Sequence, residues 1–253
     1  MFRPRVIPVL LLKNRGLVKS IGFKNFTYIG DPMNAVRLFN EMKVDELVFL
    51  DIEATKQNRL ISLDFVREIG EEANMPFAVG GGVKTIEDIR KITNAGAEKV
   101  VINSAAANGD LVINASKEFG SSTIVVCIDV KKNLFGSLKT WTHSGQKRTN
   151  YNPVEFAKKM EENGAGEIII QSIERDGKME GYDVELIRSI SENVSIPVVA
   201  LGGAGNLQHL KEVAHNGFAN GLAAGSMFIY HGTNKGVLIN YLSSDDKKIL
   251  SRI

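Results

Sequence analysis

The sequence predicts an α/β fold, a (β/α)8 barrel, on three observations. Eight short apolar runs recur along the chain, amphipathic stretches separate them, and the second half repeats the first without a gap. The runs are RVIPVLLL, ELVFLDI, MPFAVGG, KVVIN, STIVVCID, EIIIQSI, IPVVALGG and NGLAAGS. None alternates apolar with polar residues, the pattern of strands buried on both faces. An open, doubly wound sheet has the same order of elements, so order alone does not close a barrel.

The stretches between the runs carry helix punctuation. DPMNAVRLFNEMK places Asp31 as N-cap and Pro32 at the first helical position. TIEDIRKITNAG opens on Thr85 and Asp88, a relative of the capping box, and closes at Gly96. NPVEFAKKMEENG repeats the cap-then-proline pattern with Asn152 and Pro153 and ends at Gly164.

The repeat decides between the two architectures. Pro76 and Pro197 lie 121 residues apart, as do Gly81 and Gly202, Gly82 and Gly203, Gly96 and Gly217, Glu46 and Glu167, and Pro32 and Pro153. A copy this long, holding four βα units, favours two half-barrels, about residues 1–121 and 122–242, closing into one TIM barrel over 1–253. No linker or low-complexity segment interrupts it.

Composition narrows the function classes. With 253 residues and 43% hydrophobic content the chain can bury a large core. A net charge of +2 makes no case for nucleic acid as a partner. Basic residues cluster in KNRGLVK and GQKRTN, as solvated loops or as loops that meet an anionic ligand. The single cysteine, Cys127, reads as a core residue; it can form neither an intrachain disulfide nor a multi-cysteine zinc site. The four histidines share no ligand spacing, so neither a metal nor any other cofactor is expected, and His143 reads as a surface-loop residue. No apolar run approaches the ~20 residues that cross a bilayer, and the N-terminus lacks a signal-peptide pattern. A cytoplasmic location without membrane contact is the expectation.

In such a barrel the site lies at the C-terminal strand ends. Glycine turns at 80–82 and 202–205 each stand between a strand and a helix. Each is followed one strand later by a small polar end, Asn103–Ser104 and Gly225–Ser226. Glycine lets the backbone approach a phosphate at a helix N-terminus, although tight turns alone also call for it. Two symmetric cradles imply an elongated ligand with a phosphate at each end. Asp51, Asp129 and Asp176 are strand-end or loop carboxylates, candidates for acid–base work. Asp176–Gly177 alone reads as a turn, whereas Asp129 after STIVVCI needs a partner or a ligand. At the opposite strand ends stand Arg5, Glu46, Lys99 and Glu167, two of each sign. On pattern alone these are strand-start charges making salt bridges.

RVIP, GDP, DELVFLDI, VGGGVKTIEDI, GAEKVVIN, IDVKK, THSG, SIERDG, EGYD, IPVVALGGAG and AAGS together resemble the HisF family, the cyclase subunits of imidazole glycerol phosphate synthase, from Arg5 to about Tyr230. The resemblance implies a barrel that binds a bis-phosphorylated ribulosyl ligand across its top. It also implies a HisH-like glutaminase docked below in a heterodimer, whose ammonia passes through the barrel. It places Arg5, Glu46, Lys99 and Glu167 at the ammonia gate. Gly82, Asn103 and Ser104 fall at one phosphate site, and Asp176, Gly177, Gly202, Gly203, Gly225 and Ser226 at the other. Lys19 falls on the mobile loop, and Asp51 and Gln171 on the substrate pocket. The family carries two catalytic aspartates, ending the first and fifth strands. Here the fifth is Asp129, but the first is Leu11, which can neither give nor take a proton. Gln171 also stands where the family tends to have a small hydroxyl residue.

LLLKN.GLVK and the ending FIYHG…VLINY resemble a side branch, the AglZ/WbuZ-type proteins of surface-polysaccharide clusters. That branch implies delivery of ammonia to a separate sugar amidotransferase that forms acetamidino groups.

Overall fold

The computed structural model describes residues 3–108, 110–133, 135–232 and 234–250. Eight strands close a parallel barrel: β1 (Arg5–Lys13), β2 (Leu47–Asp51), β3 (Phe77–Gly80), β4 (Lys99–Ile102), β5 (Ile124–Lys132), β6 (Glu167–Ser172), β7 (Val198–Leu201) and β8 (Gly221–Ala224). Each pairs with the next in chain order, and β8 returns to β1 with Arg5 opposite Gly221. The expected barrel is therefore closed, and an open sheet is excluded.

Strand alternation sorts the apolar side chains into two cores. Val6, Leu10 and Leu12 of β1 face outward, in a cluster shared with the helices. Ile7 and Val9 face the lumen with Val48, Ala78, Val101, Val125, Cys127, Ile169, Val199, Leu201 and Ala223; Leu11 and Leu50 pack on its upper edge. A strand buried on both faces cannot show a polar alternation, which is why the runs read as continuously apolar.

Seven helices fill the βα connections: α1 (Pro32–Glu41), α2 (Leu63–Glu72), α3 (Ile86–Asn94), α4 (Asp110–Phe119), α5 (Pro153–Glu162), α6 (Val184–Ser191) and α7 (Leu207–Asn216). The last, α8 (Ser244–Leu250), follows β8. The caps follow the sequence. Asp31 accepts from Asn34 N–H at 3.0 Å and Asn152 from Val154 N–H at 2.9 Å. Thr85 and Asp88 cap each other's backbone in a complete capping box, which satisfies donors otherwise left free in the first turn.

Two excursions from the simple βα pattern rise beside the strand ends. After β1 the chain turns through Asn14 and Arg15, at φ +49° and +64°. It then forms an antiparallel ribbon of Gly16–Ile21 and Lys24–Gly30. After β5 it extends into Leu138–Thr142 and Lys147–Arg148. Both hairpins rise from the C-terminal ends of their strands, opposite one another across the barrel. No described helix is long and apolar enough to cross a membrane.

Candidate functional site

A cavity of about 830 Å³ opens at the C-terminal ends of the strands, between the two hairpins. Its floor continues the lumen through Val9, Val101, Cys127 and Leu201, and Leu11, Leu50, Asp129 and Gln171 also line it. Leu11 stands opposite Leu50 in register, and Asp129 opposite Gln171. Strands β1 and β5 face each other across an eight-stranded barrel, so Leu11 and Asp129 hold opposite walls.

Asp129 is 6% exposed. Burial raises its pKa to about 7, with a hydrogen bond from Asn103 working against the shift and the Asp176 charge adding to it. A carboxyl that titrates near neutrality can both give and take a proton. Cys127 Sγ lies 3.9 Å from Asp129 Oδ1. The thiol is buried, as expected, but in the lumen rather than the outer core, and its pKa is pushed well up by that burial. It packs as a small neutral group.

Lys19 is 4% exposed and donates from Nζ to the Val9 carbonyl at 2.7 Å. Burial lowers its pKa to about 8, partly offset by Asp176. A side chain on Gly225 would crowd Nζ, so glycine there leaves room for the lysine. Asp176 accepts from Ser20 Oγ at 2.7 Å, from Phe23 N–H at 3.4 Å and from Gln171 Nε2 at 3.4 Å. Burial raises the Asp176 pKa despite these donors. The Asp176 carbonyl also accepts from Gly22 N–H at 3.1 Å, so it latches the first hairpin to the loop after β6.

The two glycine turns match in detail. Gly82 (φ +72°) lies against the Arg59 carbonyl, and Gly203 (φ +110°) against the Gly181 carbonyl; a Cβ at either would collide. Ile61 N–H donates to Gly81 O at 3.1 Å and Gly181 N–H to Gly203 O at 2.8 Å. These glycines are required by packing whether or not an anion binds. Gly202 is hemmed in by Ser172 O and Gln171 Nε2, and Gly177 by the Ser20 carbonyl. Asn103 Nδ2 donates to Cys127 O at 2.9 Å. Ser104 Oγ donates to Asn103 Oδ1 at 3.1 Å and accepts from His143 N–H at 2.9 Å. Ser226 is buried beside Gly225 at the cavity edge.

The structure gathers every sequence-stipulated top-face residue around this cavity: Leu11, Lys19, Asp51, Gly82, Asn103, Ser104, Asp129, Gln171, Asp176, Gly177, Gly202, Gly203, Gly225 and Ser226. The polar atoms of Asp51 are committed to neighbours of its own βα loop. The carboxylate pairs with Arg59 Nη1 at 2.5 Å and accepts from the N–H groups of Glu53 and Ala54. His143 is exposed but stands on the cavity wall. Lys56, Lys84, Lys147 and Arg148 also line it; the first two were not singled out in the sequence. The GQKRTN cluster was the signal for the last two. Among the described residues no group of histidine, cysteine and carboxylates could hold a metal.

At the other end of the lumen, four charges form a closed square. Arg5 reaches Glu46 with one guanidinium nitrogen and Glu167 with the other. Lys99 Nζ lies 2.9 Å from Glu46 Oε1 and 2.9 Å from Glu167 Oε2. Burial opposes the Arg5 charge, but the two carboxylates outweigh it and leave the pKa raised.

Residues 5–235 match the histidine biosynthesis protein family. The chain belongs to that family. It is 39% identical over 231 residues to the imidazole glycerol phosphate synthase subunit HisF of Streptococcus mutans, covering 91% of this chain and 92% of that one. A Leptospira interrogans protein is 42% identical over 252 residues, with 99% of each chain covered. A hisF2 protein of Pseudomonas aeruginosa is 43% identical over 242 residues, covering 95% and 96%. The last two carry the same subunit name in provisional form. The chain is thus a HisF-like barrel.

Proposed function

We propose that this HisF-like barrel receives ammonia from a HisH-like glutaminase at its lower face and releases it at the upper cavity. A separate enzyme then uses that ammonia to convert a sugar acetamido group into an acetamidino group. The observation that carries this reading is the contrast between the two ends of the lumen. The charged square at the bottom is complete, while the acid–base pair at the top has lost one member, with Leu11 facing Asp129.

The geometry suits ammonia. The lumen between the square and the cavity is lined by Ile7, Val9, Val48, Val101, Val125, Ile169 and Val199. Such a wall admits neutral ammonia and opposes ammonium, because an unpaired charge there has no compensating partner. The square closes the lower end, so entry requires at least one of its ion pairs to part. Above, a phosphorylated ligand would place one phosphate by Gly82, Asn103 and Ser104, and the other by Lys19, Gly177, Gly203 and Gly225. Lys19 has donors to spare beyond Val9, and an anion beside it would favour its charged form.

A second reading is favoured by the names of the relatives: the cyclase subunit of imidazole glycerol phosphate synthase. Asp129, with a pKa near 7, would then serve both proton transfers alone. The deciding experiment is ammonium-driven turnover of the bis-phosphorylated formimino ribulosyl substrate by the purified chain, without glutaminase. Ligand binding with no turnover supports the conduit reading. Turnover at ordinary enzyme rates establishes the cyclase.

A further inference from the structure

The two hairpins that flank the cavity differ in composition from the rest of the chain. Residues 14–30 hold three basic side chains and residues 131–151 hold five, and neither segment contains an aspartate or a glutamate. The whole chain, by contrast, is almost balanced, with 31 basic and 29 acidic residues. Lys19, Lys147 and Arg148 line the cavity, where an anionic ligand would engage them. Arg15, Lys24 and Lys132 do not. They are exposed and make no ion pair among the described residues.

The same hairpins carry exposed apolar surface. Tyr28 is 67% exposed, Ile21 47% and Phe26 37% on the first. On the second, Phe135 is 90% exposed at the tip. Asn133 Oδ1 accepts from Phe135 N–H and from Ser137 N–H, each at 2.9 Å, and the Asn133 and Ser137 backbones close the turn. An exposed phenylalanine on a hairpin that also carries the exposed, unpaired Lys132 has the composition of an interface anchor.

We propose that the two hairpins form a docking surface for one partner, an acidic protein that covers the mouth of the cavity and consumes the ammonia delivered there. This rests on the conduit reading above. Ammonia released into water at neutral pH becomes ammonium and is lost as a nucleophile, so a barrel that does not use it must hand it over under a seal. The cations outside the cavity call for an acidic complement, and Phe135 and Tyr28 supply apolar anchors of the kind that dominate binding energy.

The test places a photo-reactive benzophenone amino acid at position 135 of the full chain, produced together with its glutaminase in its native cells. The crosslinked protein is identified, purified and titrated against the chain. The expected result is an acidic amidating enzyme whose binding weakens about tenfold or more in the Lys24→Glu/Lys132→Glu variant and weakens with salt. In the same variant the glutaminase still copurifies, and product formation from added ammonium is kept. Crosslinking to the glutaminase, to a second copy or to lipid overturns the proposal. So does absence of any adduct. Charge reversal that slows only the capture of a phosphorylated ligand also overturns it, since the cations would then be a ligand funnel. A normal adduct in a chain that proves to be a competent cyclase would defeat the conduit reading and leave the docking surface standing.

Discussion

A carboxylate at position 11 would stand across the lumen from Asp129, at the edge of the same cavity. Leu11→Asp is therefore expected to create ammonium-driven ring closure or raise it by about 10²–10⁴-fold, measured as turnover of the formimino ribulosyl substrate. No gain would mean that Gln171 and its neighbours have reshaped the pocket beyond one residue. Asp129 itself makes stability depend on pH. Its pKa rises from 3.8 in the unfolded chain to about 7 in the fold, so between these values the native state holds a proton that the unfolded chain has lost. Its contribution is full below pH 4 and is lost as pH rises through 7. The Asp129→Asn variant should lack that slope. Thermal midpoints taken from pH 4 to 8 should show the wild type losing ground to the variant as pH rises; parallel curves would refute the assignment.

At the scale of elements, the square and the latch each hold two parts of the barrel in place. Glu167→Gln or Lys99→Ala breaks two of the four ion pairs and leaves two like charges sharing one counter-charge. Such a loss costs about 3–5 kcal/mol when the pair is fully buried, and less here because Lys99 and Arg5 reach solvent. The functional expectation is sharper. Product formation fed by glutamine should fall while formation fed by ammonium persists, and equal loss with both sources would remove the gate from the account. At the top, Asp176 ties the first hairpin down through Ser20, Gly22 and Phe23. Ser20→Ala removes a hydrogen bond to a carboxylate, worth about 1.5–3 kcal/mol. Limited trypsin digestion should then cut at the exposed Lys24 about tenfold faster or more.

Across the whole molecule, the C-terminal segment is fastened to the first strand. Tyr241 Oη donates to the Val6 carbonyl at 2.7 Å and accepts from Asp45 N–H at 3.3 Å, and its ring packs on Phe228. Burial pushes the Tyr241 hydroxyl far above its ordinary range. Tyr241→Phe keeps the packing and removes the bonds. A loss of about 0.5–1.5 kcal/mol follows, seen as a fall of a few degrees in the thermal midpoint. Closure of the barrel does not depend on this tie, because β8 already pairs with β1.

The sequence by itself determined the architecture. Continuous apolar runs, proline and capping residues at helix starts, and glycines at turns are local signals, and the 121-residue repeat joined them into a closed barrel. It also determined where charges sit along each strand, so Arg5, Glu46, Lys99 and Glu167 were placed together at one end, and Leu11 and Asp129 at the other. Only the tertiary structure decided what those residues touch. KNRGLVK read as a basic loop, yet the chain there folds into a ribbon that buries Lys19 against Val9, because its partners lie on β1 and in the loop after β6. Asp51 read as a strand-end carboxylate and candidate for acid–base work, and Arg59 pairs with it. Cys127 read as core, and strand alternation turned it into the lumen beside Asp129. The hairpin after β5 was invisible because it has little apolar periodicity of its own and pairs only along the rim. Periodicity fixes which face of a strand is buried; contacts between loops that meet across a closed barrel exist only once it has closed.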